Sequence, residues 1–427
     1  MEARIKLDHE LLAVEAEHRV HAMLELVAPK VEAGGTRPPL NLALVIDRSG
    51  SMQGRKLEVT KECAAFLVRR LSPRDNLALV TYDDQVELLR ALGPVEQDLL
   101  HVIQQIYPGG TTNLSGGWLK GIEQVQTSDG DGLKKALLLT DGLANVGITN
   151  RDSLVGMAKR MADEGAGTTT IGFGDDFDEE LLTQMADAGR GNAYFAGTPD
   201  EAPGIFAQEF EGLMNLVAQN VSVEIRPSDE VEVVAILNEY PAVPVKGGVQ
   251  IQLGDAYSEE SRRVVFELHI PELARLGMAK VAEIVVRYTT VGDEIATHAV
   301  TLPLSVNMVS ADEASEAEPN KDVIEEVTIL KAAKAEEEAR RKADHGDLDG
   351  ARVAFDAAID LLAAVPDNSE RAGELQAEVE RIKGVTDEVG RGQWDAMMSK
   401  SSHYNVQKSR RRRGGRGPSD GGPASSR

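Results

Sequence analysis

Short unbroken apolar runs alternate with segments of helical periodicity between residues 40 and 215. The runs at 42–46 and 136–140 contain almost only aliphatic residues, whereas residues 56–71 repeat their apolar positions at helical spacing. Runs of the first kind are typical of strands that are buried on both faces, and helices between such strands cover both faces of a parallel sheet. The pattern therefore predicts a doubly wound, mostly parallel α/β sheet of the Rossmann-like type over residues 38–217.

Residues 218–309 change to an alternation of period two. Val221, Val223 and Ile225 alternate with polar neighbours, and several later segments do the same. Short alternating strands separated by turns indicate an antiparallel β-sandwich. Residues 1–37 show the same alternation, so we expect them to pair into the sandwich, with the α/β domain as an insertion. An independent N-terminal hairpin is the alternative.

The last 118 residues of the chain differ in composition. Residues 310–320 form a short acidic segment that predicts a linker, and residues 321–390 are rich in Ala, Glu, Lys and Leu, which predicts a helical hairpin with a third helix. Residues 391–427 are basic and rich in Gly, Ser and Arg, so we expect them to be disordered. This tail could contact an acidic surface or nucleic acid, with a solvated tail as the alternative.

Small oxygen-bearing residues follow the first predicted strand of the α/β domain. Asp47, Ser49 and Ser51 are spaced by two in the stretch Asp-Arg-Ser-Gly-Ser, directly after the apolar run. One carboxylate and two hydroxyls therefore leave the end of a central strand together, and hard oxygens of this kind suit Mg²⁺. A Ser/Gly turn followed by a helix N-cap is the alternative interpretation of this stretch alone.

Two later segments supply further oxygens. A Gly- and hydroxyl-rich loop at 109–117 contains Thr112, with Thr111 as the alternative candidate, and the run at 136–140 ends in Asp141. Because loops at the carboxyl ends of parallel strands meet at a topological switch point, we expect these residues to lie near the first turn.

The joint pattern resembles the metal-ion-dependent adhesion site of von Willebrand factor type A domains. Residues 39–52 are similar to the bacterial and inter-alpha-inhibitor-like branch of that family. The resemblance implies a bound Mg²⁺, with Mn²⁺ or Ca²⁺ as alternatives, and a free coordination position for an Asp or Glu of a protein partner. The metal ligands that it implies are Asp47, Ser49, Ser51, Thr112 and Asp141.

These features favour a bacterial, cytoplasmic binding protein over an enzyme. The net charge of −24 disfavours general binding to nucleic acid. The sequence contains no apolar run that could span a membrane, and from its first residues we expect no signal peptide. No nucleophile–base set is apparent. The alternatives are an adaptor of a MoxR-type or chelatase-type AAA+ ATPase, and an enzyme that uses Mg²⁺ as a Lewis acid.

Overall fold

The computed structural model describes residues 1–30, 37–128, 132–174, 176–238, 240–291, 296–365, 369 and 371–410, together with the backbone of 413–414. The chain begins with three strands, β1 (Glu2–Leu7), β2 (Leu11–Ala13) and β3 (His18–Val27). An α/β domain, a β-sandwich and a helical segment follow them.

The α/β domain is the doubly wound sheet that the sequence predicts. Its strands run in the order β6-β5-β4-β7-β8-β9, parallel except for the antiparallel edge strand β6. The elements are β4 (Leu40–Asp47), α1 (Arg55–Arg70), β5 (Asn76–Tyr82), β6 (Val86–Pro94), α2 (Leu99–Gln104), α3 (Leu114–Gln126), β7 (Leu133–Thr140), α4 (Arg151–Asp163), β8 (Ala166–Phe173), α5 (Glu179–Ala188), β9 (Arg190–Ala196) and α6 (Ala202–Met214).

Strand β4 shows why the apolar runs are unbroken. All eight of its residues are buried. Leu44 and Ile46 pack into the core that α1 covers, whereas Ala43 and Val45 pack into the core that α3 covers. Because each face meets a helix, the successive residues from Leu42 to Ile46 are all apolar, and this run ends at Asp47.

The β-sandwich consists of two sheets. One sheet has the order β1-β3-β14-β11, and the other has the order β12-β13-β10-β15-β16-β2. The additional strands are β10 (Leu216–Pro227), β11 (Glu232–Ile236), β12 (Ala242–Val245), β13 (Gly248–Tyr257), β14 (Ser261–Ile270), β15 (Gly277–Thr290) and β16 (Thr297–Val309). Strand β3 pairs with β14 along its whole length, so the N-terminal strands lie in this sandwich. Strand β2 runs parallel to β16, a departure from the antiparallel pattern that the alternation predicts.

Helices form most of the remainder: α7 (Ala311–Glu316), α8 (Lys321–Asp344), α9 (Leu348–Ala363), α10 (Ala372–Gly390) and α11 (Ala396–Arg410), followed by β17 (Arg413–Gly414), which pairs with β14. The predicted linker 310–320 thus contains a helix. Its N-cap is Ser310, whose hydroxyl accepts a hydrogen bond from the N–H of Glu313. Acidic residues in its first turn stabilise the positive end of the helix dipole.

The prediction that residues 391–427 are disordered is wrong for 396–410. Helix α11 packs against α8 and β9, and Lys400, His403 and Arg410 are buried. Lys400 Nζ lies 2.5 Å from Glu179 Oε2 of α5. The charge of Lys400 is therefore compensated within the chain, which composition alone does not show. Residues 411–412 and 415–427 lie outside the described residues.

Ion pairs connect the α/β domain to the sandwich and to the helical segment. Lys135 of β7 contacts Asp255 of β13 at 3.1 Å, and both side chains are almost fully buried. Arg340 of α8 contacts Glu180 of α5 at 3.3 Å. None of the helices in the described ranges is long and apolar enough to cross a membrane.

Candidate metal centre

Three loops meet at the carboxyl ends of β4 and β7, which are neighbours in the sheet. Backbone hydrogen bonds tie the loop at 109–113 to the turn after β4, from Gly109 N to Arg48 O at 2.7 Å and from Gly50 N to Gly110 O at 2.9 Å. The Thr112 carbonyl accepts hydrogen bonds from the N–H groups of residues 145 and 146, in the loop after β7. The convergence expected from strand order is therefore present.

Hydrogen bonds join four of the five candidate side chains to this edge of the sheet. Asp47 Oδ1 accepts from the Ser49 N–H at 2.8 Å, and Asp47 Oδ2 accepts from the Thr140 hydroxyl at 2.7 Å. The Ser51 hydroxyl donates to Asp141 Oδ1 at 2.8 Å and lies 3.2 Å from the Ser49 hydroxyl. Ser51 is exposed, so the group opens to the protein surface.

The fifth candidate, Thr112, lies beside Asp141 through its contact with Gly142. A Cβ placed on Gly142 would be 3.0 Å from the Thr112 hydroxyl oxygen. This spacing explains why the residue after Asp141 is a glycine, since a side chain would crowd the threonine. Thr112 is 3% exposed, whereas Thr111 is exposed to solvent. The structure therefore places Thr112, and not Thr111, in the group.

Two completely buried carboxylates are the main electrostatic feature of this group. Asp47 and Asp141 are both 0% exposed. Burial raises the pKa of Asp47 to about 6, and the negative charge of Asp141 contributes to this rise. The hydrogen bonds from Ser49 and Thr140 act in the opposite direction and lower this pKa. A nearby cation would stabilise the ionised form of buried carboxylates of this kind.

Two basic residues beside the group were not part of the sequence-based prediction. Lys56, in the first turn of α1, places its Nζ 2.5 Å from Asp141 Oδ2. Arg48 points away from the carboxylates to Asp83, at 3.3 Å, and Glu87, at 2.9 Å. Lys56 follows Ser51 by five residues, so its position near the turn could have been inferred from the sequence. The residues around Lys56 do not indicate that Asp141 is its partner.

The residues fit a hard divalent cation. Two carboxylates and three hydroxyls are all oxygen donors, which suit Mg²⁺, Mn²⁺ or Ca²⁺ and suit softer metals less well. Elsewhere in the described ranges, as here, no group of three or more His, Cys, Asp or Glu residues is arranged to hold a metal. A site at this edge of the sheet would therefore depend on hydroxyl ligands.

Comparisons with known proteins agree with this geometry. The family model of the von Willebrand factor type A domain matches residues 41–208. An uncharacterized protein of Synechocystis is 26% identical over 338 residues, which are 76% of this chain and 79% of that protein. Inter-alpha-trypsin inhibitor heavy chain H1 of Mesocricetus auratus is 29% identical over 205 residues, which are 45% of this chain but only 22% of that protein.

A solved structure extends the likeness beyond the α/β domain. The von Willebrand factor type A protein from Catenulispora acidiphila superposes with a TM-score of 0.72 over 89% of each chain, at 17% sequence identity. At this identity the likeness shows the fold alone. Together with the sequence matches, it confirms the resemblance inferred from the motif. Residues 41–208 of the chain are therefore a von Willebrand factor type A domain.

Proposed function

We propose that this chain binds a divalent cation, Mg²⁺ in the first place, and uses it to capture a carboxylate of a protein partner. The ligands would be Asp47, Ser49, Ser51, Thr112 and Asp141. The observation that carries the proposal is the pair of completely buried carboxylates on adjacent strands, with three hydroxyls converging on them. The family resemblance supports the same role for these residues.

The donor count supports a role for an external ligand. Mg²⁺ takes six ligands in octahedral geometry, and the candidate group supplies five side chains. At least one position is left for water or for a ligand from outside the chain. Since Ser51 is exposed, such a ligand could approach from the surface at this edge of the sheet.

Binding, rather than turnover, is the role that we propose for the ion. The functional groups that touch the candidate ligands are already engaged: the Thr140 hydroxyl donates to Asp47, and the Lys56 ammonium contacts Asp141. The adaptor function with an AAA+ ATPase, the cytoplasmic location and a contact of the tail with nucleic acid remain predictions from the sequence. Catalytic turnover that is lost in Asp47→Asn would overturn the proposed role.

Isothermal titration calorimetry with Mg²⁺ and Mn²⁺ tests the site. Wild type is expected to bind one ion, and Asp47→Asn is expected to lose at least about 2 kcal/mol of binding free energy, because a charged ligand is removed from a buried site. Asp229→Asn, at an exposed turn residue, is the matched control and should bind like wild type. Equal binding by wild type and Asp47→Asn would reject the site.

Affinity capture from the native cell extract then tests the partner. Wild-type protein is expected to retain a partner in Mg²⁺ and to release it in EDTA, and Asp47→Asn is expected to retain it in neither condition. A partner held equally well by both proteins in both conditions would contradict capture through the metal.

A further inference from the structure

Lys56 contacts the candidate metal centre directly. It lies in the first turn of α1, and its side chain is 23% exposed. Its Nζ lies 2.5 Å from Asp141 Oδ2, which is the contact of a charge-assisted hydrogen bond. A completely buried carboxylate is therefore paired with a cation that belongs to the chain itself.

The two oxygens of Asp141 face different groups. Oδ1 accepts the hydrogen bond from Ser51, on the turn that follows β4. Oδ2 faces Lys56, whose Nζ would lie 3.4 Å from a Cβ placed on Gly174, just beyond the end of β8. Since β4 and β8 flank β7 on opposite sides, the ammonium approaches Asp141 from the side away from Asp47. Lys56 can therefore stay in place while the hydroxyl side holds an ion.

This arrangement changes the charge of the centre. Asp47 and Asp141 contribute two negative charges, and Lys56 removes one of them. Arg48 does not enter this count, because its guanidinium faces Asp83 and Glu87. A divalent cation would leave the centre with one positive charge, and one carboxylate from outside would cancel it. Without Lys56, the same ion would already be neutralised by the chain.

We propose that Lys56 is a charge-compensating residue that weakens the binding of the cation alone and strengthens the binding of a carboxylate to the loaded centre. This inference rests on the proposed metal-dependent function and identifies how the site is tuned toward an anionic ligand. Removing the charge of Lys56 should therefore raise the affinity for the cation and lower the affinity of the loaded centre for a carboxylate.

The magnitude follows from Coulomb's law. We take the lysine charge and the dication to lie on opposite sides of the Asp141 carboxylate, about 6 Å apart. At that separation a unit positive charge weakens the binding of the dication about tenfold, even at the dielectric constant of water. Lys56→Met keeps the aliphatic stem and removes the charge. We therefore expect Mn²⁺ to bind Lys56→Met about tenfold more tightly than wild type, and acetate to bind the Mn²⁺-loaded variant at least about threefold more weakly.

Calorimetry with Mn²⁺, followed by acetate titration with water-proton relaxation as the readout, measures both affinities at constant ionic strength. Lys56→Arg keeps the charge and is expected to resemble wild type in both titrations. Lys159→Met removes the same charge from an exposed position on α4 and should change neither affinity. Lys56→Gln is a second neutral variant in case the methionine variant does not fold.

The outcomes separate this inference from the proposed function. Tighter Mn²⁺ binding with weaker acetate binding supports the role of Lys56, and loss of folding cannot produce that combination. Unchanged or weaker Mn²⁺ binding in the folded neutral variants, or acetate binding as strong as in wild type, would overturn it. If wild type itself binds no Mn²⁺, the proposed metal site fails instead.

Discussion

Asp75 provides a sharp test of how the α/β domain is held together at its start. Its carboxylate is 0% exposed and accepts hydrogen bonds on both oxygens. Arg37 binds it with two nitrogens, at 2.7 and 2.6 Å, and the N–H groups of Leu40 and Ser72 add bonds of 2.9 and 2.7 Å. The residue thus connects the segment before β4 to the segment before β5.

The expected cost of Asp75→Asn follows from these contacts. Burial opposes ionisation, but the Arg37 pair and the backbone donors outweigh it and lower the pKa of Asp75 to about 2. The fall from 3.8 corresponds to about 2 kcal/mol of stability at neutral pH. Breaking a buried ion pair generally costs about 3–5 kcal/mol of stability. Because Arg37 retains some contact with water, we expect Asp75→Asn to lower the free energy of unfolding by about 3 kcal/mol.

Urea unfolding measures this loss in the domain concerned. Trp118 of α3 is completely buried in the α/β domain, and Trp394 is the only other tryptophan in the sequence. Fluorescence in a Trp394→Phe background therefore reports the α/β core. Asp229→Asn in the same background is the exposed control, and it is expected to change the free energy of unfolding by less than about 0.5 kcal/mol.

The pH dependence has a definite sign. The folded-state pKa of Asp75 is depressed, so its contribution is complete above the unfolded value near 4 and is lost as the pH falls toward 2. The difference between wild type and Asp75→Asn should be constant from pH 7 to about pH 5 and shrink below about pH 4. A difference under about 0.5 kcal/mol at pH 7, or one that grows on acidification, would refute the reasoning.

The metal centre and the C-terminal helix give further measurable outcomes. At a concentration about a hundredfold above Kd, Mg²⁺ should stabilise the folded state by about 2.7 kcal/mol. The thermal unfolding midpoint should therefore rise, and EDTA should cancel the rise. Thr112→Ala should weaken Mn²⁺ binding about tenfold in calorimetry, whereas the exposed Thr111→Ala should not; equal effects would contradict the placement of Thr112. Gly142→Ala should also weaken Mn²⁺ binding, because its Cβ would crowd the Thr112 hydroxyl at 3.0 Å, and unaltered binding would contradict this. Lys400→Met should increase hydrogen exchange across α11, because it removes the contact with Glu179, and an unchanged exchange pattern would show that this pair does not hold the helix.

The α/β fold and the positions of the candidate ligands could be predicted because their signals are local. The carboxyl-terminal parts of β4 and β7, residues 42–46 and 136–139, are buried on both faces and are continuous apolar runs. The carboxylate that the motif requires follows each run within two residues. The rule that parallel strand ends converge then brings Asp47 and Asp141 together without knowledge of any single contact.

The features that escaped prediction depend on contacts between distant residues. Lys56 meets Asp141 across 85 positions, and Lys400 meets Glu179 across 221 positions. Neither lysine is unusual in its local sequence. Composition alone suggested a disordered tail over 391–427, because composition counts the positive charge of Lys400 and does not show that Glu179 pairs with it. The parallel pairing of β2 with β16 likewise depends on register over only three residues.

Anomalous diffraction from crystals grown with Mn²⁺ tests the central claim most directly. The account predicts one strong anomalous peak at the carboxyl ends of β4 and β7, within ligand distance of oxygens of Asp47, Ser49, Ser51 and Thr112, with Asp141 in direct or water-mediated contact. The same crystals of Asp47→Asn should lack that peak. A wild-type map without a peak at this edge of the sheet, or with its strongest peak bound by other residues, would contradict the account.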